Sequence, residues 1–376
     1  MIFSHPDETG IRYGRDRGKR MIGKVRKDRR VLVIVNWRLD GMEFPVLKSR
    51  YENSAIWGFR ASWTPWNPSG IYSKLFYHWP FLFISGFLGF FMSRNYDVII
   101  TWHATSGLFM GMLFRICGKS RKRRKSGDAH LLVLNMIDVE RKGTYGKLRR
   151  GFIRFCLGGV DRVTCYTHAE AERLTQHYSL PAGCSVCIPQ CLQKRFFPDR
   201  PVPLDETEPY IFASGRSLRD YKTLFATIKD TLYPVKVVCQ DHNIAGLEIP
   251  PNVEVHLNLY GKKVGAMRRA ARLVVIPLQK EDTSAGQYDM LWGMGEGKGL
   301  IVTRTVASLE HMTDGKDALF VKCGDVEMLR RTIEELWNNE DRLRKLGWNA
   351  FQTMHDRFCF DSYERAVIKI TEGLMD

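Results

Sequence analysis

Short apolar runs alternate with longer helix-like stretches through most of this 376-residue chain, and that alternation limits the fold more than any other feature. The first run is Val31-Leu32-Val33-Ile34-Val35. Others follow at 97–101, 131–134, 162–166 and 186–188. Continuous apolar strands separated by helices read as a parallel sheet covered on both faces. Residues 198–209 then hold four prolines and four acids, the composition of a linker. Beyond them the pattern restarts, with runs at 210–213, 235–239, 253–256, 273–276, 300–302 and 319–321 and a helical remainder from about Val326. This predicts an α/β protein with two doubly wound, Rossmann-like domains. The expected organisation is a basic arm over 1–30, an N-terminal domain over 31–200, a linker over 201–209 and a C-terminal domain over 210–355. A final helix over 356–376 is placed to cross back to the N-terminal domain. Ligands of such sheets bind beyond the carboxyl ends of the strands, so two facing domains are expected to share a cleft.

Composition narrows the class. With 44% hydrophobic and 26% charged residues, disorder throughout and collagen-like repetition are excluded. Residues 1–200 hold 34 Lys and Arg against 15 Asp and Glu, and residues 201–376 hold 23 against 26. The basic half should attract an anionic partner: a membrane surface, a phosphorylated acceptor or a nucleic acid. The cysteines lie mostly in apolar runs and read as reduced core thiols. Cys184, Cys187 and Cys191 lack the second pair that a zinc site needs and read as a strand and its exit loop. The first residues carry no apolar stretch of the kind a secretory leader has.

Two segments carry candidate chemistry. In the first, an apolar strand runs into Ser214-Gly215-Arg216 and then a helix, with Arg219 and Lys222 following. Glycine lets the backbone approach a ligand closely, and the three cations stand where a diphosphate could lie. The second is Glu281-Asp282-Thr283-Ser284-Ala285-Gly286-Gln287, after the strand that ends at Pro277. Thr283 or Ser284 is the expected N-cap of a helix, and Gly297 its C′ residue. The free N–H groups at such a helix start suit an anion or a sugar hydroxyl.

Taken in order with Gly297-Lys298-Gly299, Asp314-Gly315, Gly324-Asp325 and the helical segments near Leu346 and Phe358, residues 210–363 resemble the nucleotide-sugar half of GT-B glycosyltransferases, closest to the retaining family four. Asp161-Arg162-Val163 and Ile188-Pro189-Gln190, with Phe196-Phe197, are similar to the end of that family's N-terminal domain. The resemblance implies a GT-B fold and a glycosyltransferase of the hexosyl type. It implies metal-independent transfer from a nucleotide sugar, a UDP- or GDP-sugar, with no other cofactor. It also implies donor contacts from Gly215, Arg216, Arg219, Lys222, Glu281, Ser284, Ala285, Gly286 and Gln287. The family carries two glutamates eight residues apart. Anchored on Gly297-Lys298, those positions hold Ser284 and Trp292. Asp289, one turn before Trp292, is placed to reach a ribose diol, and Trp292 reads equally as a ring that stacks on a base or sugar and as a core residue.

In the N-terminal half, His103 and Asp138 follow strands and face the expected cleft. An inverting transfer needs a base, with Asp138 first and His103 second; a retaining transfer would use them to orient the acceptor. Either residue could instead serve as a cap or a core hydrogen-bonding group. Asp138-x-Glu140 is a poor match to the metal-binding Asp-x-Asp of GT-A enzymes, so no metal is expected.

Trp79–Met92 is apolar on nearly every face. As a helix it is about 21 Å long, short of the ~30 Å hydrocarbon core. It reads either as a core helix or as one dipping into a single leaflet. Trp57, Trp63 and Trp66 precede it, and Lys119, Arg121, Lys122, Arg123, Arg124 and Lys125 form a basic run after it. Together they suggest peripheral attachment at the cytoplasmic face of the cell membrane and a lipid-linked or membrane-proximal glycan acceptor. The rival readings are an inactive GT-B-like partner subunit of a glycan-assembly machinery, a GT-B epimerase and a basic nucleic-acid-binding protein. No helix-turn-helix, zinc finger or aromatic RNA-binding motif supports the last, so nucleic acid is not an expected partner.

Overall fold

The computed structural model describes residues 26–35, 44–58, 79–138, 141–204 and 207–376. Residues 1–25 of the expected arm, together with Trp63, Trp66 and Glu140, lie outside the described residues. The chain divides into two units: one runs to Ile188 and takes back Tyr363–Asp376, and the other is Pro189–Ser362.

In the first unit, six parallel strands form one sheet in the order β2-β1-β3-β4-β5-β6. They are β1 (Arg26–Val35), β2 (Tyr51–Gly58), β3 (Val98–Thr101), β4 (His130–Val133), β5 (Arg162–Cys165) and β6 (Ser185–Cys187). β1 starts ahead of its apolar run, because Arg26 and Arg30 also pair with β2 across a register shift. The helices are α1 (Pro45–Arg50), α2 (Trp79–Met92), α3 (Ala104–Ile116), α4 (Gly143–Leu157) and α5 (His168–Tyr178). α3 packs against both α2 and α4, and α4 against α5. β3 is buried along its whole length, which is why it reads as a continuous apolar run rather than an alternating one.

The second unit holds β7 (Ile211–Ser214), β8 (Val235–Cys239), β9 (Val253–Leu257), β10 (Leu273–Ile276), β11 (Gly299–Thr303) and β12 (Leu319–Val321). Their order, β12-β11-β10-β7-β8-β9, is the doubly wound one. Successive side chains point to opposite faces, and each face has its own core. Phe212, Val274, Ile276, Leu300 and Val302 pack on one side. Ile211, Ala213, Leu273, Val275 and Ile301 pack on the other. At about 1.5–3 kcal/mol for each large aliphatic side chain buried, these two cores provide the main stabilisation. The helices are α6 (Tyr221–Ile228), α7 (Asp241–Ile244), α8 (Lys262–Ala270), α9 (Gln287–Gly295), α10 (Val306–His311), α11 (Val326–Trp337) and α12 (Glu340–Arg357). Asp220, Thr305, Asp325 and Asn339 cap α6, α10, α11 and α12 by accepting a bond from a first-turn N–H.

Residues 189–200, expected in the N-terminal domain, belong to the second unit. The Leu192 N–H donates to the Phe358 carbonyl at 3.0 Å, and Phe360 N–H donates to the Leu192 carbonyl at 3.0 Å. Leu192 and Phe197 also join the core there. The linker is tied as well, since Val202 N–H donates to the Glu296 carbonyl at 2.9 Å. The last helix, α13 (Phe360–Met375), starts after this extended pairing rather than at 356. From Tyr363 onward it belongs to the first unit. Its Tyr363 hydroxyl donates to Asn135 Oδ1 at 2.8 Å, and Glu364 Oε2 accepts from Val46 N–H at 2.8 Å.

Candidate functional site

The strand order of the second sheet reverses between β7 and β10. The carboxyl ends of those two strands therefore flank the topological switch point, where open α/β sheets bind ligands. The candidate segments following Ser214 and Pro277 both start there. They are zipped together: Asp220 N–H donates to the Pro277 carbonyl at 3.0 Å and Gln279 N–H to the Leu218 carbonyl at 3.1 Å.

Of the three cations, one turns inward. Arg219 is 4% exposed. Its Nε donates to the Ser214 carbonyl at 2.8 Å and its Nη1 to the Ser217 carbonyl at 3.0 Å. Its Nη2 pairs with Asp289 Oδ2. Ser214 Oγ donates to Asp289 Oδ1 at 2.8 Å, which occupies the other carboxylate oxygen. Arg219 and Asp289 therefore hold each other and do not stand open to a diphosphate and a ribose, as the sequence led us to expect. Gly215, at φ 123°, makes this possible, since a Cβ there would strike the Arg219 guanidinium.

Arg216 stays exposed, with its guanidinium 4.8 Å above the Tyr260 ring. Its carbonyl accepts from Asn243 Nδ2 at 2.7 Å, which pins the loop backbone. Lys222 is exposed in the first turn of α6. Two cations of this turn therefore face solvent beside the switch point.

The N-cap of α9 is Gly286, at φ 86°, not Thr283 or Ser284. Thr283 instead accepts from Ala285 N–H at 3.1 Å, forming a tight turn ahead of the helix. Gly286 offers no side-chain acceptor, so the first-turn amides of α9 have no side-chain cap. Gln287 donates its Nε2 to the Ser284 carbonyl at 3.0 Å. Its buried Oε1 has no partner among the described residues and can accept from a hydroxyl or amine donor. Glu281 is exposed, and its carbonyl accepts from Val306 N–H at 2.9 Å. Gly297, at φ 70°, follows the C-cap of α9, as the sequence implied.

Trp292 is half-buried and packs against the core of this unit. Arg268 lies 5.1 Å from its ring centre and Phe196 6.1 Å. Arg268 in turn grips the fully buried Glu296 through two bonds of 2.7 and 2.9 Å. Lys298, also fully buried, donates to the Ala271 carbonyl at 2.9 Å. In the sequence Lys298 reads only as an anchor, and Glu296 shows only as a lone acid in the apolar stretch 290–302.

In the first unit the strand order reverses between β1 and β3, and His103 follows β3. His103 caps α3, its Nδ1 accepting from Thr105 N–H at 3.2 Å. Asp138 lies farther along, after β4. Its Oδ1 accepts from Arg149 Nη2 at 2.7 Å and its Oδ2 from the Tyr178 hydroxyl at 2.6 Å. Burial, then the bond to Asp138, pushes the Tyr178 hydroxyl well above its ordinary range. Burial opposes the Arg149 charge, but its bond to Asp138 and their mutual attraction outweigh that and raise it. Both oxygens of Asp138 are thus engaged within the first unit. The basic run is also partly internal. Arg124 pairs with Asp161 at 2.7 Å, Lys119 with Asp128 at 2.5 Å, and Arg121 donates to the Val160 carbonyl at 3.0 Å. Lys122, Arg123 and Lys125 are the exposed cations of the run.

The sequence matches no protein-family model, and it matches no curated protein. Solved structures do match. A glycosyltransferase from Rickettsia africae aligns at 14% identity and TM-score 0.64, covering 93% of this chain and 99% of that one. Sucrose-phosphate synthase from Thermosynechococcus elongatus aligns at 14% identity and TM-score 0.65, covering 92% and 99%. HepE from Anabaena, solved in complex with UDP, aligns at 10% identity and TM-score 0.62, covering 92% and 100%. The chain has the two-sheet α/β fold of GT-B glycosyltransferases. Among the described residues, no helix is long and apolar enough to cross a membrane.

Proposed function

We propose that the chain is a metal-independent glycosyltransferase that moves a hexose from a nucleoside-diphosphate sugar to a lipid-linked or membrane-proximal glycan. The observation that carries this reading is the β7–β10 switch point. There the uncapped amides of α9, the orphan Gln287 Oε1 and the exposed Arg216 and Lys222 follow adjacent strand ends. Amide dipoles and fixed cations stabilise the charge that develops on a departing diphosphate, without a metal. Solved complexes of HepE with UDP and with UDP-glucose favour a UDP-sugar as donor. Retention is the outcome the acceptor side favours: inversion needs a free base, and both Asp138 oxygens are engaged. His103, as a cap, would help to orient an acceptor. Attachment at the cytoplasmic face of the membrane would bring such an acceptor within reach, with nucleic acid as no part of the function.

A second reading has one observation in its favour. Asp289 and Asp138 are both engaged by arginines, as would suit a GT-B-like subunit that binds a nucleotide sugar without transferring it. One assay separates the two. The full chain is incubated with UDP-, GDP-, ADP- and dTDP-sugars, and release of the nucleoside diphosphate is followed with and without EDTA. Release from one class, insensitive to EDTA, supports the transferase. A thermal shift with no release supports the inactive subunit, and activity lost in EDTA and restored by Mn²⁺ contradicts metal independence.

A further inference from the structure

Among the described residues of the first unit, most of the exposed large apolar side chains lie on two helices, and only one of these helices stood out in the sequence. On α2, Phe83, Ile84, Phe87, Leu88 and Phe91 are all exposed, while Leu82, Ser85, Gly86 and Gly89 are buried. The helix is neither a core helix nor apolar padding. One face packs inward, and the opposite face is a row of large side chains in solvent. On α4, Tyr145, Leu148, Phe152 and Phe155 recur at helical spacing and are 70, 71, 55 and 37% exposed. α3 joins the two rows. Phe83 meets Phe109 edge-on at 5.0 Å, and Arg115 lies 4.5 Å over the Phe155 ring.

Charge indicates what covers this surface. Residues 79–160 hold 14 Lys and Arg against four acids, and no acid lies within α2, α3 or α4. Lys147 and Arg154 are exposed on α4 itself, and Lys122, Arg123 and Lys125 are exposed on the loop that Arg121 and Arg124 tie to the Gly158 and Gly159 carbonyls just after α4. A second copy of the chain would set like charge against like charge. An anionic lipid surface meets both needs, taking the phenylalanines and leucines at the acyl boundary and the cations at its headgroups.

We infer that α2 and α4 form one bipartite insertion surface that seats this unit on an anionic lipid monolayer. This rests on the membrane reading above and names the surface that would carry it. The apolar row runs along about 15 Å of α4, enough for several anchors at the depth an interfacial helix reaches. The exposed cations supply the second signal that stable attachment requires.

The test uses the full chain with vesicles of equal parts phosphatidylglycerol and phosphatidylcholine, and with phosphatidylcholine alone. The wild type is expected to sediment with the anionic vesicles and not with the neutral ones. Leu148→Ser/Phe152→Ser is expected to lower partition at least tenfold, and Lys122→Ser/Arg123→Ser/Lys125→Ser to do the same in low salt. Thermal shift with UDP is read on the same samples. Unchanged partition in the α4 variant overturns the inference. So does a wild-type dimer that the α4 variant dissociates, or tighter binding to DNA than to anionic vesicles at matched salt. A retained UDP shift with no vesicle binding defeats only this surface. Vesicle binding with no UDP shift defeats only the donor reading.

Discussion

Arg216 and Arg219 are three residues apart in one turn and do opposite work. Arg216 is exposed over Tyr260, and Arg219 is spent inside the fold on Ser214, Ser217 and Asp289. Arg216→Ala should lower turnover 100- to 1000-fold, by analogy with removal of one oxyanion-hole donor. Its urea midpoint should stay at the wild-type value. Arg219→Ala should act the other way round, lowering unfolding stability by about 3 kcal/mol, because Asp289 is left without its cation. Urea unfolding and steady-state rates on both variants check the pair. The sequence made all three cations visible but not their direction. What turns Arg219 inward is Asp289, 70 residues away, and no local pattern reports such a partner. A buried histidine, His311, and a half-buried one, His355, give a pH signature at the same scale. Burial, above all, holds His311 and His355 below the ordinary histidine value. Between the folded value and about 6.5 the unfolded chain therefore binds more protons. The stability these histidines contribute is present above about pH 6.5 and is lost as pH falls through the folded values. The urea midpoint of the wild type should drop over that range. In His311→Gln, whose side chain can still donate to the Ala307 carbonyl that His311 Nδ1 contacts at 2.8 Å, the drop should be shallower.

Elements were legible where burial made a strand nearly continuous in apolar residues, as in β3, β4 and β10. β2 was not, because it is an edge strand whose Tyr51-Glu52-Asn53-Ser54 start is largely polar. The start of α9 was legible as a turn, yet its cap fell two to three residues late, since Thr283 and Ser284 serve the preceding turn. The exposed row on α4 was hidden among Lys147, Arg149, Arg150 and Arg154, which make the helix read as an ordinary solvated one. α13 carries its own prediction. Tyr363, Val367, Ile368 and Thr371 are buried in the first unit, and Glu372 pairs with Arg50 there. Ending the chain at Ser362 should strip that cover and remove several side-chain burials of about 1.5–3 kcal/mol each. The truncated protein should bind the apolar dye ANS and lose its cooperative melt, whereas a wild-type-like melt would show that the helix is dispensable.

At the scale of the whole chain, the two α/β halves and their sheet type could be read from the rhythm of the runs, but the division between them could not. The proline-rich stretch looks like a hinge, yet residues 189–204 are bound into the second unit by Leu192, Phe197 and Val202. Composition described the linker, and backbone pairing decided where it belongs. The central claim is that the β7–β10 switch point of this unit takes the diphosphate of a nucleotide sugar. Calorimetric titration of UDP into the full chain and into Arg216→Ala tests it most directly. The account predicts one site per chain, weakened at least tenfold in the variant. Equal affinity in the two proteins would contradict it.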